Sequence, residues 1–177
     1  MEHKIVSKAF AIGNGTTAYQ IISQARWTAC GTNVEELGKW TFEPSIPEIA
    51  NVPNGFKNMG YRIVVAGSDF GGGGKSNDHP VLTLKGAGVE VLIAESFNRI
   101  FFRNALNLGM PVVTCPGILN VVETGDEIEC NLLTGTITNL TTGKSLQGTA
   151  LTGLPMELIE AGGLLPYWRS KLSDKLP

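Results

Sequence analysis

Three short apolar runs stand out in the pattern of hydrophobic and polar positions. They cover Arg62–Ala66, Glu90–Ala94 and Met110–Thr114. Continuous runs of this length are typical of strands that are buried on both faces of a parallel sheet. Before them, Lys4 to Ile12 alternates in part between polar and apolar residues, which predicts an opening strand that ends at the glycine-containing turn of residues 13–15.

Two helices are predicted between the three central strands. The first begins near Pro80, because a proline at the first helical position loses no hydrogen bond, and ends at Gly86 or Gly88. The second has Ser96 as its N-cap, apolar residues at helical spacing and Gly109 just after its end. Crossovers in such a strand–helix–strand–helix–strand order are right-handed and join parallel strands. Ligands of such sheets bind outside the carboxyl ends of the strands, which here are the loops Gly67–His79, Glu95-Ser96 and Cys115-Pro116.

The remaining segments predict smaller elements. The residues after 15 are expected to form a polar loop, and residues 35–40 a short helical turn. Residues 44–53 contain three prolines and are expected to be a connecting segment. Residues 127–140 predict a hairpin, and a last helix should span Pro155 to Ala161, followed by an amphipathic turn through Trp168. The expected fold is α/β, with a parallel βαβαβ core and additional β-hairpins in a single domain over residues 1–177.

Composition narrows the class of protein. Hydrophobic residues make up 42% of the 177 residues and charged residues 17%, as in a folded globular protein. The formal net charge is −2, and no lysine–arginine stripe is interleaved with aromatics, so no nucleic-acid partner is expected. We find neither a secretory leader nor an apolar run of membrane-spanning length, and therefore expect a cytoplasmic protein without a membrane partner.

The three cysteines are expected to be partly buried free thiols. Cys30, Cys115 and Cys130 are odd in number and far apart in the sequence. They form neither a disulfide framework nor a C-x-x-C metal motif. No metal site is therefore expected on this chain.

The glycine-rich loop from Gly67 to His79 is the strongest candidate for the working site. Five of the 22 glycines lie in it, and four are consecutive, from Gly71 to Gly74. Each costs about 0.5–1 kcal/mol in backbone entropy relative to alanine, so a purely structural turn would need fewer of them. Close approach of a ligand to backbone N–H groups explains the excess, and a carboxylate is an anion that such groups bind well.

The same loop invites comparison with the nucleotide-binding pattern G-x-x-x-x-G-K-[ST]. The position of the first glycine is occupied by Asp69, whose carboxylate would face the phosphates. The predicted helix begins near Pro80, whereas in a phosphate-binding loop it opens at the Gly-Lys-Ser itself. Nucleotide binding is therefore the weaker alternative.

Residues 65–80, with the sequence VAGSDFGGGGKSNDHP, resemble the loop of the small subunit of 3-isopropylmalate dehydratase and of the swivelling domain of aconitase. That family's pattern is roughly G-x-N-F-G-x-G-S-S-R-E-H-A, followed by L-K and G, which match Leu84-Lys85 and Gly88 here. The likeness continues in EELG at 35–38, SFNRIFFRN at 96–104 and GMPV at 109–112. It extends across nearly the whole chain.

The resemblance implies an aconitase swivel-like domain that is the small subunit of a hydro-lyase in leucine and branched-chain amino acid biosynthesis. It implies a hydroxy-dicarboxylate substrate and a separate large subunit that binds a [4Fe–4S] cluster through three cysteines. No cofactor is expected on this chain, whose cysteines lack the clustered spacing. A related dehydratase subunit for another branched malate, such as a methyl- or dimethylmalate, and a non-catalytic binding module that kept the fold are the alternatives. Whether the isolated chain forms a homo-oligomer stays open.

The active loop departs from the family's pattern. When Asp78-His79 is aligned with E-H, the loop is one glycine longer, so Lys75-Ser76 take the place of the serine pair and Asn77 that of the arginine. By the resemblance, the first serine abstracts the proton as an alkoxide and the arginine binds a substrate carboxylate. Lys75 could act as a base when neutral or as a carboxylate anchor when charged, and Ser76 could supply the basic oxygen. The predicted catalytic residues are Lys75 and Ser76, and the predicted substrate-binding residues are Gly73, Gly74, Asn77 and His79.

Other residues have structural explanations beside functional ones. His79 at the start of a helix is explained equally well by capping or packing and by catalysis. Arg103 is expected to be a surface cation. Trp40, Trp168 and the pair Phe101-Phe102 are expected in the core or at a subunit interface.

Overall fold

Seven β-strands form one mixed sheet across residues 3–73 and 77–173, which are the residues that the computed structural model describes. The strands are β1 Lys4–Ile12, β2 Ile63–Ala66, β3 Val91–Ala94, β4 Val112–Thr114, β5 Glu127–Asn131, β6 Thr136–Asn139 and β7 Ser145–Gln147. Their order in the sheet is β4-β3-β2-β1-β5-β6-β7. The expected α/β fold class is confirmed.

Short helices cover the sheet. They are α1 Ala18–Ile21, α2 Gln24–Cys30, α3 Val34–Gly38, α4 Gly55–Met59, α5 His79–Gly86, α6 Arg99–Asn107, α7 Leu154–Ala161 and α8 Leu164–Ser173. Two 3₁₀ turns, Pro47–Ile49 and Ile118–Asn120, complete the regular structure of the described residues. None of these helices is long and apolar enough to cross a bilayer.

The predicted parallel βαβαβ core is confirmed. β2, β3 and β4 pair in parallel, with α5 connecting the first two and α6 the last two. All four residues of β2 and all four of β3 are buried, as their unbroken apolar sequences predict. The carboxyl ends of these strands therefore lie along one edge of the sheet.

β1 joins the parallel and antiparallel halves of the sheet. Its second part, Ala9–Ile12, pairs in parallel with β2, and its first part, Lys4–Lys8, pairs antiparallel with β5. The predicted hairpin is confirmed by the antiparallel pairing of β5 with β6. β7 extends it by a third strand, which the sequence analysis did not predict.

The predicted polar loop and connecting segment are wrong in part. The loop expected after residue 15 contains α1 and α2, and the proline-containing stretch contains a 3₁₀ turn with α4 following it. α2 buries none of its residues, so it lacks the apolar periodicity from which a helix is predicted. Its N-cap is Ser23, whose hydroxyl accepts a hydrogen bond from the Arg26 N–H at 3.4 Å.

The prediction of Ser96 as the N-cap of α6 is also wrong. The cap is Asn98, whose side chain accepts a hydrogen bond from the Ile100 N–H at 3.1 Å. The reason is tertiary, because the chain after β3 first forms a parallel bridge between Phe97 and Phe70. Only after this bridge is the backbone released to begin a helix.

Two hydrophobic clusters pack against the two faces of the parallel strands. Ile63 and Val65 belong to one cluster, while Val64 and Ala66 belong to the other. Of the aromatics expected in the core or at an interface, Phe101 is in the core, Phe102 and Trp40 are half-buried, and Trp168 is 53% exposed. Trp40 lies beneath the Arg26 guanidinium, 3.5 Å from the ring centroid.

The contact between α3 and α5 requires glycine. A Cβ atom on Gly86 would lie 2.0 Å from the Val34 carbonyl oxygen and 2.9 Å from the Gly38 Cα. Because these are backbone atoms, the two helices would have to separate. We expect Gly86→Ala to lower the free energy of unfolding by about 1–3 kcal/mol, which exceeds the alanine's gain in helix propensity.

Denaturant unfolding measures this loss, and Gly13→Ala is a suitable control. A Cβ on Gly13 would meet nothing within 4 Å, so its effect should stay within about 0.5 kcal/mol. Equal losses in the two variants would show that the close contact is not responsible.

Candidate functional site

The glycine-rich loop begins where β2 ends, beside the turn that follows β1. The Asn14 side-chain oxygen accepts hydrogen bonds from the Ser68 N–H at 2.8 Å and from the Ser68 hydroxyl at 3.2 Å. The Ser68 carbonyl in turn accepts from the Gly15 N–H at 2.7 Å. A Cβ on Gly67 would lie 2.0 Å from the Asn14 side-chain oxygen, so this first contact of the loop is possible only for glycine.

Asp69 and Phe70 attach the loop to the segment after β3. The Asp69 N–H donates to the Ser96 hydroxyl at 2.9 Å, and the Phe70 N–H donates to the Ser96 carbonyl at 3.0 Å. Asp69 has a positive φ of 54°, a conformation that Asp and Asn tolerate better than most residues. Two of the three loops predicted to meet at the carboxyl edge, Gly67–His79 and Glu95-Ser96, are therefore in direct contact.

The middle of the glycine run is held by the chain after β1. The Gly71 N–H donates to the Thr16 carbonyl at 2.8 Å, and the Gly72 carbonyl accepts from the Ala18 N–H at 2.9 Å. Gly71 has a φ of 82° and lies against the Phe101 ring. Part of the glycine excess is thus structural, and the amide of Gly71 has a protein partner rather than a ligand.

Gly73 is the last loop residue described before Asn77. It is exposed, with a φ of 71°. Gly74, Lys75 and Ser76 lie outside the described residues, so their predicted roles stay predictions.

Asn77 and His79 form a small hydrogen-bonded unit where α5 begins. The Asn77 side-chain oxygen accepts a hydrogen bond from the His79 N–H at 3.1 Å and contacts His79 Nδ1. The Asn77 backbone carbonyl accepts from the Asn104 side-chain amide at 3.2 Å. The predicted start of this helix near Pro80 is confirmed, since α5 begins at His79. A phosphate-binding loop requires a helix that opens at Gly-Lys-Ser, whereas α5 begins at His79.

The His79 ring continues an aromatic stack. It lies 5.5 Å from the Trp27 ring, with 29° between the planes, and Trp27 lies 5.3 Å from Tyr19. The packing role considered for His79 is thus observed, while its predicted contact with substrate stays a prediction. Trp27 was not predicted to lie at the site, because it lies in the segment that was expected to be a loop.

Asn104 is a further residue at the site that the sequence pattern did not predict. It is 9% exposed and lies in a small cleft beneath the loop. The cleft is lined by Ala18, Gly71, Asn77, Pro80, Ile100, Phe101 and Asn104. One sequence signal could have identified it, because an asparagine stands on the face of α6 that also carries apolar Phe101 and Ala105. Arg103, its neighbour, is exposed as predicted.

A larger cavity of about 540 Å³ lies at the opposite edge of the sheet, at the amino ends of the parallel strands. Its charged groups have partners. Arg62 pairs with Glu90 at 2.6 Å, and the Lys85 ammonium donates to the Leu108 carbonyl. Burial lowers the pKa of Lys85. The cavity is remote from the glycine-rich loop, and the loop carries the candidate chemistry.

The cysteines do not come together as a metal site. Within residues 3–73 and 77–173, no three His, Cys, Asp or Glu side chains are grouped so that they could hold a metal ion. Cys30 is partly buried, and Cys115 and Cys130 are buried free thiols, as predicted. Burial raises the pKa of Cys130 to about 12, so this thiol stays protonated and is a poor ligand at neutral pH.

The chain is similar to known proteins over the segments described above. Residues 17–116, more than half of the chain, match the family of aconitase C-terminal domains. The isopropylmalate/citramalate isomerase small subunit of Methanocaldococcus jannaschii is 41% identical over 174 residues, which cover 98% of this chain and 99% of that protein. The 3-isopropylmalate dehydratase small subunit of Pyrobaculum calidifontis is 46% identical over 135 residues, covering 76% and 80%.

A solved structure shares the fold. A crystal structure of 3-isopropylmalate dehydratase from Methanocaldococcus jannaschii is similar, with a TM-score of 0.83 and 25% sequence identity. The similarity covers 97% of each chain. The antiparallel strands and the C-terminal helices, which lie outside the matched family segment, are therefore part of the shared architecture.

Proposed function

Because the chain belongs to the family of aconitase C-terminal domains and is a small subunit of the 3-isopropylmalate dehydratase type, we propose that it acts with a large subunit on a hydroxy-dicarboxylate with an isopropyl branch. The reaction removes a proton from one carbon, and hydroxide leaves from the neighbouring carbon with the electron pair of the C–O bond, so the net loss is one water and an unsaturated dicarboxylate remains. Return of water in the opposite orientation completes an isomerisation. This chain is expected to be inactive alone.

One observation carries the proposal. The family segment, residues 17–116, contains the whole glycine-rich loop and two of the elements that hold it. Those elements are the Ser96 segment, whose hydroxyl and carbonyl accept from Asp69 and Phe70, and α6, whose Asn104 donates to Asn77. The resemblance thus covers these two supports of the loop as well as its sequence.

The proposed roles follow from the chemistry of the loop residues. Lys75 and Ser76 would move the proton, and the N–H groups of Gly73 and Gly74 would bind a carboxylate. Asn77 and His79 would contact the substrate at the amino end of α5, where the partial positive charge of a helix favours an anion. The amide of Asn77 carries no charge, so its contact with a carboxylate is weaker than that of the family's arginine.

The partner subunit is proposed to hold the [4Fe–4S] cluster, which supplies Lewis-acid chemistry at the substrate hydroxyl. The described residues of this chain do not fit such a group, because they bring no three suitable ligands together. The contribution of this chain is then substrate contact, orientation and proton transfer. A cytoplasmic location and a role in leucine biosynthesis accompany the proposal.

Reconstitution tests the proposed function. The chain is co-expressed with a large subunit of the dehydratase family from the same genome and purified without oxygen. We expect a complex with the visible absorbance of an iron–sulfur cluster, and ultraviolet absorbance of an unsaturated dicarboxylate when isopropylmalate is added. Each subunit alone serves as the control.

The alternatives predict different results. A panel of malates with isopropyl, methyl or dimethyl branches identifies a related dehydratase if a smaller branch gives the higher kcat/KM. An assembled, cluster-containing complex that turns over none of them contradicts the proposal and favours a non-catalytic module that kept the fold. Failure of the chain to bind the large subunit also contradicts it.

A further inference from the structure

Two side chains of α6 contact the glycine-rich loop on both sides of residues 74–76. Phe101 and Asn104 are three residues apart, so they project from the same face of the helix. Phe101 is 4% exposed and Asn104 is 9% exposed. Both line the small cleft beneath the loop.

The first contact is steric. A Cβ atom on Gly71 would lie 2.2 Å from Cγ of the Phe101 ring, so the backbone of Gly71 rests directly on this side chain. The ring is held in turn by an edge-on contact with Phe70, with 5.2 Å between the centroids. The Phe101 ring therefore fixes the distance between the backbone of Gly71 and α6.

The second contact is a hydrogen bond. The Asn104 side-chain amide donates to the Asn77 carbonyl at 3.2 Å. The side chain of the same Asn77 accepts from the His79 N–H and contacts its ring. This hydrogen bond from a buried amide is made to a backbone carbonyl and depends on the position of the backbone. We therefore assign it the role of holding the backbone of Asn77 in place.

We propose that α6 is the rigid support that sets the separation between Gly71 and Asn77, with Asn104 as a positioning residue that acts through Asn77 and His79. A backbone that is held in place loses fewer conformations when its side chains bind a ligand, so the contact with Asn104 positions Asn77 and His79 in advance. The hydrogen bond itself can be measured on the isolated chain. Its consequence for turnover rests on the proposed function.

The test replaces Asn104 by aspartate, which keeps the shape of the side chain but has no donor when ionised. Asn107→Asp is the matched control, because it makes the same change at an exposed position of the same helix. In the isolated chain, amide hydrogen exchange in residues 77–79 is expected to become about tenfold faster in Asn104→Asp than in Asn107→Asp. Exchange in β3 and β4 should not change.

Acid supplies a readout that a loss of packing would not give. A protonated carboxyl group can donate to the Asn77 carbonyl, so the ratio of exchange rates between Asn104→Asp and wild type should fall toward one as the pH is lowered. If Asn104→Asp does not fold, Asn104→Ser replaces it, since serine keeps a shorter donor. Its exchange rate in residues 77–79 should lie between the wild-type rate and ten times the rate measured for Asn107→Asp.

In the reconstituted complex, kcat of Asn104→Asp is expected to fall about 10- to 100-fold, because a small displacement of positioned groups is sufficient for such a loss. Assembly and the KM for the malate should change less than kcat. Equal exchange in Asn104→Asp and Asn107→Asp, or faster exchange with unchanged kcat in an active complex, would overturn the inference. If exchange is faster in Asn104→Asp but the wild-type complex is inactive, the role of α6 as a support is confirmed. Only the proposed function is then contradicted.

Discussion

Alanine at Lys75 or at Ser76 is expected to lower kcat/KM of the reconstituted enzyme by about two to four orders of magnitude, the range that a positioned acid or base contributes. By the resemblance, the two residues would take the place of the family's serine pair when Asp78-His79 is aligned with its E-H. No other side chain between Gly71 and Asn77 can accept a proton or carry a charge. Assembly with the large subunit should survive both changes, as gel filtration would show.

The division of the loss between kcat and KM distinguishes the two roles. Loss of the residue that abstracts the proton lowers kcat, whereas loss of a carboxylate anchor mainly raises KM. Lys75→Arg sharpens the distinction, since arginine keeps the charge but does not deprotonate. Arginine should preserve much of the activity if Lys75 is an anchor and little of it if Lys75 is a base.

Surface variants control for general damage. Lys57→Ala on α4 and Ser145→Ala on β7 remove the same side chains at exposed positions and should leave kcat/KM unchanged. If Lys75→Ala and Ser76→Ala behave like these controls in an active complex, the catalytic assignment of the loop is wrong.

Gly71→Ala is expected to have the largest effect on stability and to remove activity with it. The positive φ of 82° would cost about 1–2 kcal/mol with a side chain, and contact with the Phe101 ring would add about 1–3 kcal/mol. The ring cannot move aside easily, because Phe70 packs against it with 5.2 Å between centroids. Urea unfolding of the isolated chain measures the sum.

Gly143→Ala separates the two contributions. Gly143 has a φ of 74°, but a Cβ there would meet nothing within 4 Å. It should therefore lose only the backbone term of about 1–2 kcal/mol. A loss in Gly71→Ala no greater than in Gly143→Ala would show that Phe101 does not support the loop.

The central strands could be predicted because both of their faces are buried, so nearly all of their consecutive residues are apolar. The apolar runs at residues 62–66, 90–94 and 110–114 contain β2, β3 and β4. The helices between them followed from Pro80 at one start and from apolar spacing in α6. α2 and the cap of α6 could not be predicted, because the first is stabilised by contacts of Arg26 with Glu43 and Trp40 and the second by the bridge from Phe97 to Phe70.

The sequence by itself determined the class of fold, the family and the loop in which the chemistry is proposed, since these depend on local apolar patterns and on a contiguous motif. Tertiary structure alone decided which glycines serve packing and which residues hold the loop. Gly71 lies against Phe101, and Asn104 reaches the carbonyl of Asn77, although both partners come from a helix beyond the next strand. Contacts between residues so far apart in the chain have no periodicity of their own, so they appear only once the parallel strands bring their carboxyl ends together.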